Sequence, residues 1–333
     1  MPAERDARVA PDDAPPQRDG VALRKARVRA ALAVVAAIAL LGTFVAWIGP
    51  AQIAATLRDV RWPPLLLAGA CIAAGSLLGA FNAWQLGQLG AHVRFPRFVA
   101  AFWCGWAAGL VVPGQVADVL LLTGLLRRLG VSGSLALGRL GVDKLLSLVV
   151  VMLAIAALPL ATGVDALLPL VPVAGIAALA LLAAPLLADA LVRRFAADTH
   201  APSWRTRIAA VVQRAGERFR HSPGRVFANL VLSIVKLGLA GASYWLVFAA
   251  LGIDPPAPWR VAVVAAAAGL VAYVPVSLNG IGTVELAGVL LFGFLGIEAP
   301  VVASAYILLR VLNLLIAWLP VGLAAPVALR GAR

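Results

Sequence analysis

Six ionisable side chains stand inside or at the edge of long apolar stretches of this chain: Asp118, Asp143, Lys144, Lys236, Glu285 and Arg310. A charge at the centre of a bilayer costs at least about 2.5 kcal/mol. Each of these residues therefore needs a partner or a task. Three acids and three bases could neutralise one another, or they could offset the charge of a polar ligand. Their neighbours bear on that choice. Asn229, Ser233, Lys236, Ser243 and Tyr244 fall close to one helical face, and Tyr306, Arg310 and Asn313 share another, being offset by four and three. Two such stripes facing a bundle interior would line an aqueous or head-group-sized hollow. A structural ion pair is the alternative for Glu285 with Arg310, and a pairing of Asp118 with Lys236 is conceivable on the same grounds. Asp143 and Lys144 open an apolar run, which suggests a place near the cytoplasmic surface.

The stretches that carry two of the acids are interrupted. One starts near Phe98, breaks at Pro113-Gly114, resumes at Gln115 and stops at Arg127-Arg128. The other runs from Val261 to Tyr273, breaks over Pro275 to Gly282, and resumes from Glu285 to Leu295. Within that second break, Pro275, Asn279, Gly280 and Gly282 are candidates for shaping a ligand path. Helix restart near Thr283 leaves free N–H groups that attract an anion, unless Glu285 satisfies them as a first-turn acid.

Composition sets the solvent. The chain has 333 residues, 62% of them apolar, a mean hydropathy of +0.95 and only 13% charged residues, against about 25% charged in soluble domains. Apolar runs long enough to cross a bilayer recur from Ala30 onward. The net charge of +13 would suggest nucleic acid on a soluble protein. Here 23 of the 28 Lys and Arg fall in segments assigned to one side of a membrane, so the charge reads as a topology signal and as attraction to anionic lipid head groups. Nucleic acid is not an expected partner. Cys71 and Cys104 lie in apolar segments, and the three histidines are scattered in loops, so neither a disulfide framework nor a metal site is expected, and no cofactor is.

The expected architecture is an all-α polytopic membrane protein. It has about six spanning helices and two re-entrant, broken-helix hairpins, one from each face. If the first broken stretch crossed the membrane alone, the segment from Arg127 to Lys144 would change sides and the basic asymmetry would collapse. Gly/Pro-broken segments in matching positions of two halves point to a transporter-like site. That pattern raises an inverted repeat, although no sequence repeat is evident. The spans read as 30–48, 64–86, 145–162, 167–190, 226–251 and 301–321. Residues 1–29 read as a disordered basic tail, and 30–325 as the membrane domain. Residues 191–225 form a basic cytoplasmic loop with amphipathic spacing, and 326–333 a cytoplasmic tail. A bacterial-type inner membrane with both termini in the cytoplasm is the expected location.

Several stretches resemble the flippase-like family that includes the transmembrane domain of lysylphosphatidylglycerol synthase (multiple peptide resistance factor). They are "PVSLNGIGTVE" at Pro275–Glu285, "LGI" at 295–297 and "YILLR" at 306–310. "VVPGQVADVLLLTGLLRRLGV" at 111–131 and "GVDKLLSL" at 141–148 are similar to further family stretches. The family often has a basic residue just after Pro-Gly and an arginine soon after the acid. Gln115 and leucines stand there in this chain, so the resemblance does not carry an anion-coordinating role over to that hairpin. The resemblance implies lipid handling rather than lysyl transfer. The favoured expectation is translocation of a polar or anionic lipid, or of a lipid-linked sugar, with no catalysis by this chain. No nucleotide-binding P-loop is present. The alternatives are a membrane enzyme or accessory subunit in lipid or envelope-glycan synthesis, partnered by other such enzymes, and a non-transporting envelope scaffold.

Overall fold

A computed structural model describes residues 45–87, 93–110, 117–195, 219–273 and 280–322, with a few single residues outside these ranges. Among the described residues every regular element is helical. The order is α1 (Pro50–Arg58), α2 (Trp62–Gly87), α3 (Phe95–Gly109), α4 (Ala117–Arg128), α5 (Gly133–Ala156), α6 (Leu158–Thr162), α7 (Leu170–Phe195), α8 (Pro223–Ala250), α9 (Pro258–Leu270), α10 (Thr283–Gly293) and α11 (Ala299–Trp318). The tails at 1–29 and 326–333 and most of the expected first span lie outside the described residues, as does most of the 191–225 loop. Of that loop, Ala215 and Phe219 pack on a cluster of Leu86, Val142, Leu146 and Val226.

The helices begin and end for local reasons. α1, α3, α8, α9 and α11 each carry a proline in the first turn, where its missing N–H costs nothing. α4, α8 and α10 each stop at a Leu-Gly-aliphatic triplet: 129–131, 251–253 and 295–297. Gly130, Gly252 and Gly296 take φ of 86°, 83° and 76°. The following N–H then reaches back to Leu126, Phe248 or Phe292 O at 3.0, 3.4 and 3.2 Å. This is a left-handed helix cap that needs glycine. The triplet that carried part of the family resemblance is thus a helix terminator.

Four helical stretches are long and apolar enough to cross a membrane: Trp62–Leu86, Asp165–Leu187, Pro223–Ala250 and Ala299–Trp318. Their outward faces expose Leu66, Leu67, Ile176, Leu179 and Phe227, a surface suited to lipid rather than water. α5 is also long, at 24 residues, but Arg139, Asp143 and Lys144 lie within it. The expected span at 145–162 falls on the later part of this helix and on α6. The helix starts at Gly133, ahead of both charges, and gives way at Ala157 to the short α6. Hydropathy alone ended the run at Asp143 and Lys144, whereas both charges find partners inside the protein. They sit ten residues or more into the helix, roughly 15 Å from its start.

α3, α4, α9 and α10 have 15, 12, 13 and 11 residues. At 1.5 Å per residue each is about 17 to 22 Å long, short of the roughly 30 Å hydrocarbon layer. They pack as two antiparallel pairs. Gly109 lies against Asp118 and Gly105 against Leu122 in the first, and Gly280 lies against Ala272 at the turn of the second. α2 and α8 form the most extensive helix contact, and α5 and α11 pack beside them. The element order α2, short pair α3/α4, α5 therefore matches α8, short pair α9/α10, α11.

Aromatic packing joins the second pair to its neighbours. Phe292 stacks on Tyr244 at 6.1 Å and meets Phe248 edge-on at 5.0 Å, while Tyr244 meets Tyr306 at 5.4 Å. Tyr306 lies so close to Gly288 that a methyl group there would overlap its ring. Gly288→Ala should therefore cost about 1–3 kcal/mol. Gly238→Ala, with open space at its Cβ position, should be neutral or slightly stabilising. Thermal unfolding of the two variants in detergent checks the contrast.

Candidate functional site

Each short helix pair carries an acid at its turn, and the following long helix supplies the base. Asp118 is in the first turn of α4, and its Oδ1 accepts from the Val119 N–H at 2.8 Å. Its Oδ2 accepts from Lys144 Nζ on α5 at 2.6 Å. Glu285 is in the first turn of α10 and is 1% exposed. Its Oε2 accepts from the Gly282 N–H at 2.7 Å, and its Oε1 pairs with Arg310 Nε on α11. The expected first-turn role of Glu285 is therefore present, and it occupies the helix end that could otherwise draw an anion.

The two pairs are in register. The partners are 26 residues apart in the first and 25 in the second. Lys144 lies fourteen residues beyond the terminating Gly130, and Arg310 fourteen beyond Gly296. Apart from the Leu-Gly-aliphatic terminator, no extended residue-by-residue similarity is visible between these stretches. The repeat is one of spacing and charge, which fold geometry preserves while side chains change.

The conceivable pairing of Asp118 with Lys236 is not what forms. α4 packs on α5, which brings Lys144 to Asp118 first. Lys236 on α8 donates instead to Ser147 Oγ at 3.2 Å and has no carboxylate within ion-pair distance among the described residues. Asp143 is 7% exposed, and its Oδ1 accepts from Asn229 Nδ2 at 2.8 Å. Asn82 on α2 in turn donates to Asn229 O and to Ser233 Oγ, both at 3.2 Å. Sequence reading found Asn229 and Ser233 but missed Asn82 and Ser147. The signal for Asn82 was one amide side chain within the second apolar run.

A cavity of about 410 Å³ lies among these groups, lined by Asp118, Asp143, Lys144, Lys236, Tyr244 and Asn313, with Phe102 and Trp106 from α3. Small residues of α2, Gly75, Ser76 and Gly79, form one wall. Gly79 lies beside the aliphatic stem of Lys236 and leaves room for it. An adjoining space of about 300 Å³ shares Asp118, Asp143, Lys144 and Lys236 and reaches Tyr273 beside the second break. Another of about 300 Å³ shares Tyr244 and Asn313 and continues to Tyr306, Arg310, Leu110, Ala272 and Ile281. Residues flanking both breaks thus line adjoining cavities. Trp103 Nε1 of the first pair also donates to Ile316 O of α11 at 3.2 Å. Gly280 and Gly282 take φ of 74° and 84°. Pro113, Gly114, Pro275 and Asn279 lie outside the described residues.

A family model described as the lysylphosphatidylglycerol synthase TM region matches residues 30–320. The chain belongs to this family. No curated protein matches it. As a member of the lysylphosphatidylglycerol synthase TM-region family with several spanning helices, it is a multi-pass membrane protein, and its function is related to membrane lipid or the envelope. In this member the family stretch at 275–285 ends at the buried glutamate, and that at 306–310 at the arginine that neutralises it.

Removing one partner of a buried pair strands the other. Arg310→Met should destabilise the protein by about 3–5 kcal/mol, and adding Glu285→Gln should recover much of that loss. Unfolding in detergent of the single and double variants measures the coupling. Independent effects would contradict the pair.

Proposed function

We propose that this protein moves a polar or anionic lipid, or a lipid-linked sugar, across the inner membrane of a bacterial-type cell. The observation that carries the reading is Lys236, a cation in the hollow whose one hydrogen-bond partner among the described residues is a hydroxyl. The other two bases there are each held by a carboxylate. A phosphate head group would complete the charge balance at Lys236, with Tyr244 and Asn313 as further polar neighbours. At about 410 Å³ the cavity is within the range of small-ligand sites. It suits a head group, with the acyl chains left in the bilayer.

The short pairs supply the route. We read α3/α4 and α9/α10 as hairpins that enter from opposite faces and return. On this topology about six helices cross, both termini are cytoplasmic, and the two halves form an inverted repeat. Support comes from the shortness and antiparallel packing of the pairs, the matched register of their charges, and the one-sided basic residues. Breaks from both faces then border a single head-group site. On this reading the chain binds and moves lipid and performs no covalent chemistry.

Two experiments test the proposal. In vesicles reconstituted with the protein, fluorescent analogues of anionic lipids should change leaflet faster than in empty vesicles, and Lys236→Ala should slow this about tenfold, equivalent to roughly 1.4 kcal/mol. Movement no faster than in empty vesicles for every head-group class would remove the reading. For topology, single cysteines replacing Arg94 and Arg128, in a background without Cys71 and Cys104, should react with an impermeant reagent from the same side. Labelling from opposite sides would show that the first pair crosses.

A further inference from the structure

The hydrogen bonds around Asp143 fix the orientation of two buried amides. Asn82 Nδ2 faces the backbone oxygen of Asn229, which can only accept, so the assignment of its nitrogen and oxygen is settled by chemistry. Asn229 Nδ2 likewise faces a carboxylate oxygen of Asp143. Both asparagines are 0% exposed. Their other ends, Asn82 Oδ1 and Asn229 Oδ1, have no hydrogen-bond partner among the described residues. A buried, unpartnered carbonyl oxygen costs about 1–3 kcal/mol, and here two occur in one network beside an acid.

We propose that Asp143, Asn229 and Asn82 hold a small monovalent cation of the sodium class between α2, α5 and α8. The donors are all hard oxygens: one carboxylate and two amide oxygens, with Ser233 Oγ adjoining through its bond from Asn82. Hard cations take such ligands. The donor set carries a single negative charge, which one monovalent ion neutralises, whereas a divalent ion would leave an uncompensated charge beside Lys144 and Lys236. Lys144 is already held by Asp118 and Lys236 by Ser147, so neither lysine occupies the amide oxygens.

The test needs no lipid movement, so its outcome is separate from that of the lipid reading. The melting temperature of the purified protein in detergent is measured in sodium, potassium and choline chloride at equal ionic strength. Sodium at about 150 mM should raise it roughly 3–5 °C above choline, with a smaller effect of potassium. The difference should vanish in Asp143→Asn and shrink in Asn82→Ala. Equal melting in sodium and choline overturns the site and leaves the two oxygens to a buried water. A response to pH without one to sodium overturns it in favour of a proton. A sodium effect that survives Asp143→Asn overturns the location. Should Asp143→Asn fail to fold, Asn82→Ala decides the location: an undiminished sodium effect in it overturns the site.

Discussion

The interior of this protein is organised by the cost of a carboxylate out of water. Glu285 has almost no solvent contact, and an isolated ionised acid there would be several kcal/mol unfavourable. Its two oxygens are matched separately, one by the Gly282 N–H and one by Arg310. That arrangement fixes where α10 begins and how far along α11 the arginine must lie. It also requires the two helices to pack side by side, which the absence of a side chain at Gly288 permits. The start of α10 at Gly282 is therefore tied to α11 by electrostatics, not by apolar burial alone.

The first half meets the same requirement less strictly. Asp118 and Lys144 are both partly exposed to the hollow, and the pair can draw on water there. Asp143 is the more demanding group. An amide, that of Asn229, holds its Oδ1. Lys236 has no carboxylate within ion-pair distance among the described residues, and the functional reading turns on that cation.

Much of this was legible in the sequence because membrane proteins concentrate their information in the few polar residues. The Glu285–Arg310 pair could be anticipated from a first-turn acid and a base at helical spacing from Tyr306 and Asn313. The broken stretches announced themselves through Pro and Gly. What could not be read was the partner of Asp118, because the choice between Lys144 and Lys236 depends on which long helix lies against α4. Hydropathy misled at α5 for a related reason: it scores Asp143 and Lys144 as if they met lipid, whereas they meet Asn229 and Asp118. Asn82 stayed hidden because one amide in an apolar run has no spacing pattern of its own.

The equal register of the two acid–base pairs bears on energetics. Suppose a cycle loosens one pair while tightening the other. The number of charges held away from water then stays nearly constant, and so does the electrostatic free energy. Forms open to opposite faces would lie close to isoenergetic, with neither a deep resting trap. Under those conditions thermal fluctuation suffices to exchange them, and any preference for a direction must come from whatever binds one form more tightly than the other.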